Sequence, residues 1–256
     1  MSTTALIDTH CHLDFEVFDN DRPLVLQRAS DNNINTIVIP GTEKIYWERI
    51  KKLCAQYESL HACYGLHPYW INSHEKKDLQ HLNAYIESNH PIAIGECGLD
   101  FRPHQADKKT QQYFFEAELD IAESKQLPVV IHSVKATETV IKTIKQYTKL
   151  SGMIHSYSGS YEQALQLIEL DFFISVGGST TYYNAKRIQA IIKKIPLDRL
   201  LVETDAPDQP DQLNKGKRNE PAYLINTVKK ISQLKQIPVA KIAQQTTINA
   251  KHLFRL

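Results

Sequence analysis

The chain is expected to fold as a single-domain α/β protein, a (β/α)8 TIM barrel, and three features of the sequence predict it. Short β-rich runs alternate with helix-like segments from one end to the other; eight such runs can be counted; and no Gly/Ser/Pro-rich linker or low-complexity block interrupts the alternation. Strands joined by crossover helices make a parallel sheet, and eight such units within 256 residues suit a closed barrel. One domain over residues 1–256 follows. An open doubly wound sheet is the alternative, but no GxGxxG follows the first strand, which argues against its dinucleotide-binding form.

In chain order the strand candidates are "ALID" near position 5, "TIVIPG" near 36, "HACYGLHP" near 61 and "IAIGECGLD" near 92. "VVIHS" near 129, "GMIHSYSG" near 152, "FISVGG" near 173 and "LLVETDAP" near 200 complete the set. Between them, "DRPLVLQRASDNN" reads as a helix in which Asp21 can cap and Pro23 suits the first turn. "QQYFFEAELDIAESKQ" carries apolar residues at helical spacing, and the pair "PAYLINTVKKISQLKQ" and "VAKIAQQTTINAKHLF" closes the chain.

Composition narrows the function classes. Thirty basic residues nearly balance twenty-nine acidic ones, for a formal charge of +1, so no global field draws the protein to nucleic acid or anionic lipid, and any such binding needs a local patch. The N-terminus lacks a basic region followed by a long apolar core, and no run approaches a membrane span. The four cysteines, Cys11, Cys54, Cys63 and Cys97, form no CxxC pair, which speaks against a disulfide framework and a thiolate zinc site. A soluble, unexported protein with reduced thiols is expected, cytoplasmic and without a membrane partner.

The chemistry begins with "LIDTHCHLD", where His10 and His12 stand two residues apart. In an extended strand such residues share a face, so both imidazoles point one way and Cys11 the other. Two imidazoles are half of a divalent-metal site. Barrel enzymes place their sites at the C-terminal ends of the strands, and polar residues recur there. His10 and His12 end the first strand, His67 the third, Glu96 the fourth, His132 the fifth, His155 the sixth and Asp205 the eighth. In a barrel these positions converge. A buried carboxylate costs several kcal/mol unless it is paired or metal-bound, so Glu96 and Asp205 among imidazoles point to a metal site rather than to isolated structural pairs. His67, in "GLHP", reads as a packed histidine that can also touch substrate. His61, His74, His81, His90, His104 and His252 lack a strand-end placement and read as surface or packing residues. Cys11 and Cys97 neighbour candidate ligands, but alternation turns them away, as packing residues rather than nucleophiles.

The stretches "DTHCHLD", "YGLHP", "AIGECGLDF", "PVVIHS", "GMIHSYSG", "LLVETDAP" and "KRNEP", in this order over nearly the whole chain, resemble the TatD family of metal-dependent deoxyribonucleases, a branch of the amidohydrolase superfamily. The resemblance implies a hydrolase with two divalent ions per chain, Zn, Mg, Mn or similar. His10, His12, Glu96 and Asp205 would hold one ion and Glu96, His132 and His155 the other, with Glu96 bridging. It also implies phosphodiester hydrolysis of DNA, as single strands or 3′ ends and possible 3′–5′ exonuclease action, with an activated water whose proton passes to Asp205. Two departures bear on substrate rather than metal. After "IHS" the family often has a basic and then an acidic residue, whereas Val134 and Lys135 stand here; after "ETDAP" an aromatic–Leu pair is commoner than Asp208-Gln209-Pro210.

A phosphate-bearing substrate calls for a cationic rim, and "NKGKRNEP" after the eighth strand offers Lys215, Lys217 and Arg218, unless this is ordinary solvated surface. Tyr182 with Tyr183, and Phe101 with Arg102, could stack on unpaired bases or simply pack. The same metal pair also serves amidohydrolases that cleave a C–N or ester bond in a small molecule, and fold does not fix substrate. A non-catalytic scaffold finds no support, since every ligand that the resemblance implies is present.

Overall fold

The computed structural model describes residues 5–256. Its strands are β1 Leu6–Asp8, β2 Ile34–Pro40, β3 Leu60–Tyr64, β4 Ala93–Asp100, β5 Val129–Val134, β6 Gly152–Ile154, β7 Phe172–Val176 and β8 Leu200–Val202. The helices are α1 Arg22–Asp31, α2 Trp47–Gln56, α3 Lys76–Asn89, α4 Lys108–Lys125, α5 Thr137–Ile144, α6 Tyr161–Glu169, α7 Lys186–Lys194, α8 Leu224–Lys235 and α9 Val239–Phe254. All eight expected strands form, and they follow one another in sequence order, β1 to β8, in one parallel sheet. With a helix after each strand, this is the (β/α)8 fold. None of the helices among the described residues is long and apolar enough to cross a membrane.

The chain divides into two compact units, one running to Ile39 and resuming over Ile174–Leu256, the other Pro40–Phe173. In the first, β1 pairs with β2 through Ile7 opposite Thr36, and β7 with β8 through Ser175 opposite Leu201. The Thr9 N–H donates to the Val202 carbonyl at 3.2 Å, which ties the first strand to the last. The local signals for α1 are half realised. Asp21 stands at the N-cap with proline in the first turn, but its carboxylate makes no cap bond. It accepts instead from both terminal nitrogens of Arg218, at 2.8 and 2.6 Å. A bidentate guanidinium, far away in sequence, outcompetes a neutral backbone donor.

In the second unit β4 is buried along its whole length and lies between β3 and β5. The β-branched run of β5, "VVIHSV", suits a strand covered on both faces. Asp107 caps α4 by accepting the N–H groups of Lys109 and Thr110, and the helix buries Phe114, Phe115, Leu119 and Ala122 at helical spacing. Gly98 of β4 faces His132 of β5 in register, with φ at +132°. A Cβ at Gly98 would lie 2.1 Å from the His132 carbonyl oxygen, so only glycine lets the two strands meet where His132 is presented.

Candidate metal centre

In the first unit the β1 ladder ends at Asp8, and the next residues continue hydrogen-bonded to their neighbours. Cys11 donates to the Val38 carbonyl at 3.0 Å and His12 to the Ala206 carbonyl at 2.8 Å, while Asp205 donates to the His10 carbonyl at 2.9 Å. This holds the two imidazoles on one side, with their Nε2 atoms 3.2 Å apart. Oδ1 of Asp205 lies 3.4 Å from Nε2 of His10 and 3.6 Å from that of His12. All three residues are buried. Asp205 has φ of +57°, a left-handed conformation that an Asp tolerates better than most residues, and its Oδ2 accepts the side-chain amide of Gln209. Cys11 faces away and is fully buried, with its Sγ 3.8 Å from the Ala206 carbonyl. Burial pushes its thiol pKa up, the opposite of what a nucleophilic thiolate needs.

In the second unit Glu96 is the hub. Its Oε1 lies 2.9 Å from Nδ1 of His132, 2.9 Å from Nε2 of His155 and 3.1 Å from Nε2 of His67. The two nitrogens of His132 and His155 are themselves 3.0 Å apart. Glu96 is 1% exposed, so this carboxylate has left water for three imidazoles. His67 differs from the other two. Its Nδ1 accepts the N–H of Tyr69 at 2.9 Å, and burial, only partly offset by Glu96, lowers its pKa to about 4. The neutral ring therefore carries its proton on Nε2 and presents an N–H to Glu96 rather than a lone pair. For His132, burial alone would lower the pKa, but hydrogen bonds to Asp100 and Glu96 and the Glu96 charge raise it above the ordinary imidazole value.

Sequence reasoning passed over two residues that support the candidate ligands, Asp100 through an imidazole and Asp8 through the main chain. Asp100 closes β4 and is fully buried, with Oδ2 3.2 Å from Nε2 of His132. Asp8 closes β1 and receives the N–H groups of Thr204, at 2.9 Å, and of His10, at 3.3 Å. Both are the last polar letter of a strand run, and Asp100 shares a face with Glu96 by period-2 alternation, a signal that was present.

Of the expected rim, Lys215 and Lys217 are exposed. Arg218 is held by Asp21, with its guanidinium carbon 4.6 Å from the Phe18 ring centre. Tyr183 is 85% exposed, whereas the hydroxyl of Tyr182 donates to the Pro210 carbonyl. Arg102 is bound to Asp100, and the Lys108 ammonium covers Phe101 at 4.5 Å. Of the residues at the two departures, Gln209 reaches a candidate ligand; Lys135 and Asp208 are exposed and Val134 ends β5.

Nitrogen and carboxylate oxygen donors gathered at this spacing suit a divalent cation: the facing atoms of His132, Glu96 and His155 lie within 3.0 Å of one another. Such donors at the strand ends of a (β/α)8 fold define the class of metal-dependent hydrolases. The TatD related DNase family model matches residues 7–255, and the chain belongs to that family. It is 35% identical to the Bacillus subtilis (strain 168) protein YabD, over 98% of this chain and 99% of that one. It is 34% identical to YjjV of Escherichia coli (strain K12), over 98% of each. Both relatives are described as uncharacterized metal-dependent hydrolases. The crystal structure of YjjV, a TatD homologue, superposes with a TM-score of 0.93 at 33% identity, covering 98% of both chains.

Proposed function

We propose that the protein is a two-metal phosphodiesterase that hydrolyses DNA, with single strands or 3′ ends as substrate. The observation that carries this reading is the Glu96 carboxylate flanked at 2.9 Å by both His132 and His155, a donor set that suits a cation. Family membership adds the nuclease chemistry, and the motif resemblance adds the division of ligands: His10, His12, Glu96 and Asp205 on one ion, Glu96, His132 and His155 on the other. When bound, such a pair supplies Lewis acidity that lowers the pKa of water and offsets charge on the leaving oxygen.

The side chains have separate tasks. Asp205 accepts the proton of the attacking water; its Oδ2 is oriented by the Gln209 amide, which leaves the other oxygen toward His10 and His12. His67, with its N–H fixed on Nε2 by the Tyr69 main chain and facing Glu96, donates to a phosphate oxygen only by leaving Glu96. Lys215 and Lys217 neutralise phosphates beyond the scissile bond, and Arg218 joins them only by leaving Asp21.

The test is cleavage of end-labelled single-stranded and double-stranded DNA, with each divalent metal supplied in turn to metal-stripped protein, read at nucleotide resolution. Metal-dependent loss of single nucleotides from one end supports the proposal. No phosphodiester cleavage under any metal, together with turnover of amide or carboxylic ester substrates, would move the assignment to small-molecule hydrolysis.

A further inference from the structure

The geometry points to Asp100 as the positioning residue of His132: it accepts the Nε2 proton of that imidazole and so commits the Nδ1 lone pair to the metal. The inference rests on the proposed role of His132 as a ligand.

The argument starts from what holds Asp100. Its main chain is clamped by one buried side chain of α4, Gln111, whose Oε1 accepts the Asp100 N–H at 2.7 Å and whose Nε2 donates to the Asp100 carbonyl at 2.8 Å. Gln111 is itself held by a second bond, from Nε2 to the Ala106 carbonyl at 2.8 Å. The carboxylate is held as firmly. The Arg102 N–H donates to Oδ1 at 3.0 Å, and its Nε lies 2.9 Å from both oxygens, with a further contact from the guanidinium to Oδ2. Three donors of Arg102 thus fix a fully buried carboxyl group, with Gln111 clamping its main chain, and the same carboxylate contacts His132.

That contact sets the state of the ring. A carboxylate is an acceptor only, so at 3.2 Å it requires hydrogen on Nε2 of His132. In the neutral ring Nδ1 then carries the lone pair, and it faces Oε1 of Glu96 at 2.9 Å and Nε2 of His155 at 3.0 Å. Two acceptors at that distance repel unless a proton or a metal ion lies between them. A metal ion that displaces that proton would take its place between the same atoms, and Asp100, by holding hydrogen on Nε2, leaves Nδ1 as the nitrogen that binds it. Carboxylate–histidine–metal chains work in this way, and loss of the outer carboxylate typically costs 10–100-fold in metal affinity.

The test uses the full-length chain with Asp100→Ala and with the shape-preserving Asp100→Asn, whose side-chain oxygen can still accept. In metal-free protein, 15N-detected histidine spectra should show the His132 proton on Nε2 in wild type and Asp100→Asn and its loss from that nitrogen in Asp100→Ala. Co2+ affinity, measured by competition with a chromophoric chelator, should fall about 10–100-fold in Asp100→Ala and be at least partly restored in Asp100→Asn. A folded Asp100→Ala protein that keeps the wild-type tautomer and Co2+ affinity overturns the inference alone. Wild-type Co2+ affinity in His132→Ala would instead overturn the ligand assignment, and the inference with it.

Discussion

His10 and Asp205 are joined twice: the main-chain N–H of Asp205 donates to the His10 carbonyl at 2.9 Å, and Oδ1 of Asp205 lies 3.4 Å from Nε2 of the His10 ring. The main-chain bond does not depend on the charge of the side chain, so Asp205→Asn should fold normally. It loses the basicity that a proton acceptor needs. Turnover of a DNA substrate is expected to drop by about 10²-fold or more. Steady-state cleavage measured beside elemental analysis of the same sample decides the point, because near-normal turnover at full metal content would send the proton elsewhere.

Fully loaded wild-type protein is expected to carry two divalent ions per chain, and Glu96→Ala fewer at both positions, because the assignment gives Glu96 to each. Equilibrium dialysis followed by elemental analysis reads this directly. Saturation at one ion in the wild type would contradict the bridged arrangement.

Asp8 should make stability depend on pH in a recognisable direction. Burial pushes its pKa from 3.8 up to about 8, against hydrogen bonds from Thr204 and His10 and with some help from the Glu203 charge. The folded state therefore holds a proton that the unfolded chain has already released. The stabilising contribution is complete below the ordinary carboxylate range and is lost as pH rises toward the folded value. Asn in place of Asp8 keeps an oxygen for the Thr204 and His10 N–H groups and offers an N–H to the Thr204 hydroxyl, which shares a 2.5 Å hydrogen bond with Asp8 Oδ2. Urea unfolding should show Asp8→Asn more stable than wild type at pH 8, by on the order of a few kcal/mol, with the difference vanishing near pH 4. An equal change at both pH values would mean that packing, not ionisation, controls this position.

Salt dependence separates the three cations of the loop after β8. If Lys215 and Lys217 neutralise phosphates of a single strand, replacing both with Gln should reduce the slope of log affinity against log salt by about 1.4, or roughly 0.7 for each. Arg218→Gln should change the slope less and stability more, since that guanidinium is already neutralised by Asp21. Fluorescence anisotropy on the Asp205→Asn background, at several salt concentrations, measures both. A slope untouched by the double lysine change would make the loop ordinary solvated surface.

How far the sequence could be read depended on the range of the interaction involved. Strand ends were legible because a polar residue at the end of an apolar run is a local signal, and His10, His132 and His155 each carry it. Asp21 shows the limit. Its place before Pro23 is the local signature of a helix cap, yet its carboxylate serves Arg218, 197 positions away in sequence, and nothing local announces that partner. Asp100 lay in plain view on the Glu96 face of its strand, but a lone Asp before "FRP" equally suits a turn. Only burial and the imidazole opposite distinguish the two. His67 was legible as a histidine at a strand end and illegible in its proton, which is set by the main chain of Tyr69.

The burial of three of the four thiols gives the protein a built-in reporter of its own opening. Cys11, Cys63 and Cys97 are shielded from solvent, and burial raises the pKa of each, so a thiol reagent meets neither access nor thiolate in the closed state. Cys54, on α2, is partly exposed. Labelling should therefore proceed in phases: Cys54 reacts from the native state, and each of the others reacts at a rate set by how often its own strand region opens. Cys11 and Cys97 sit next to His12 and Glu96 in the chain, so if those residues hold ions as proposed, binding should be measurable as slowed alkylation, without any substrate and without knowing which bond the enzyme cuts.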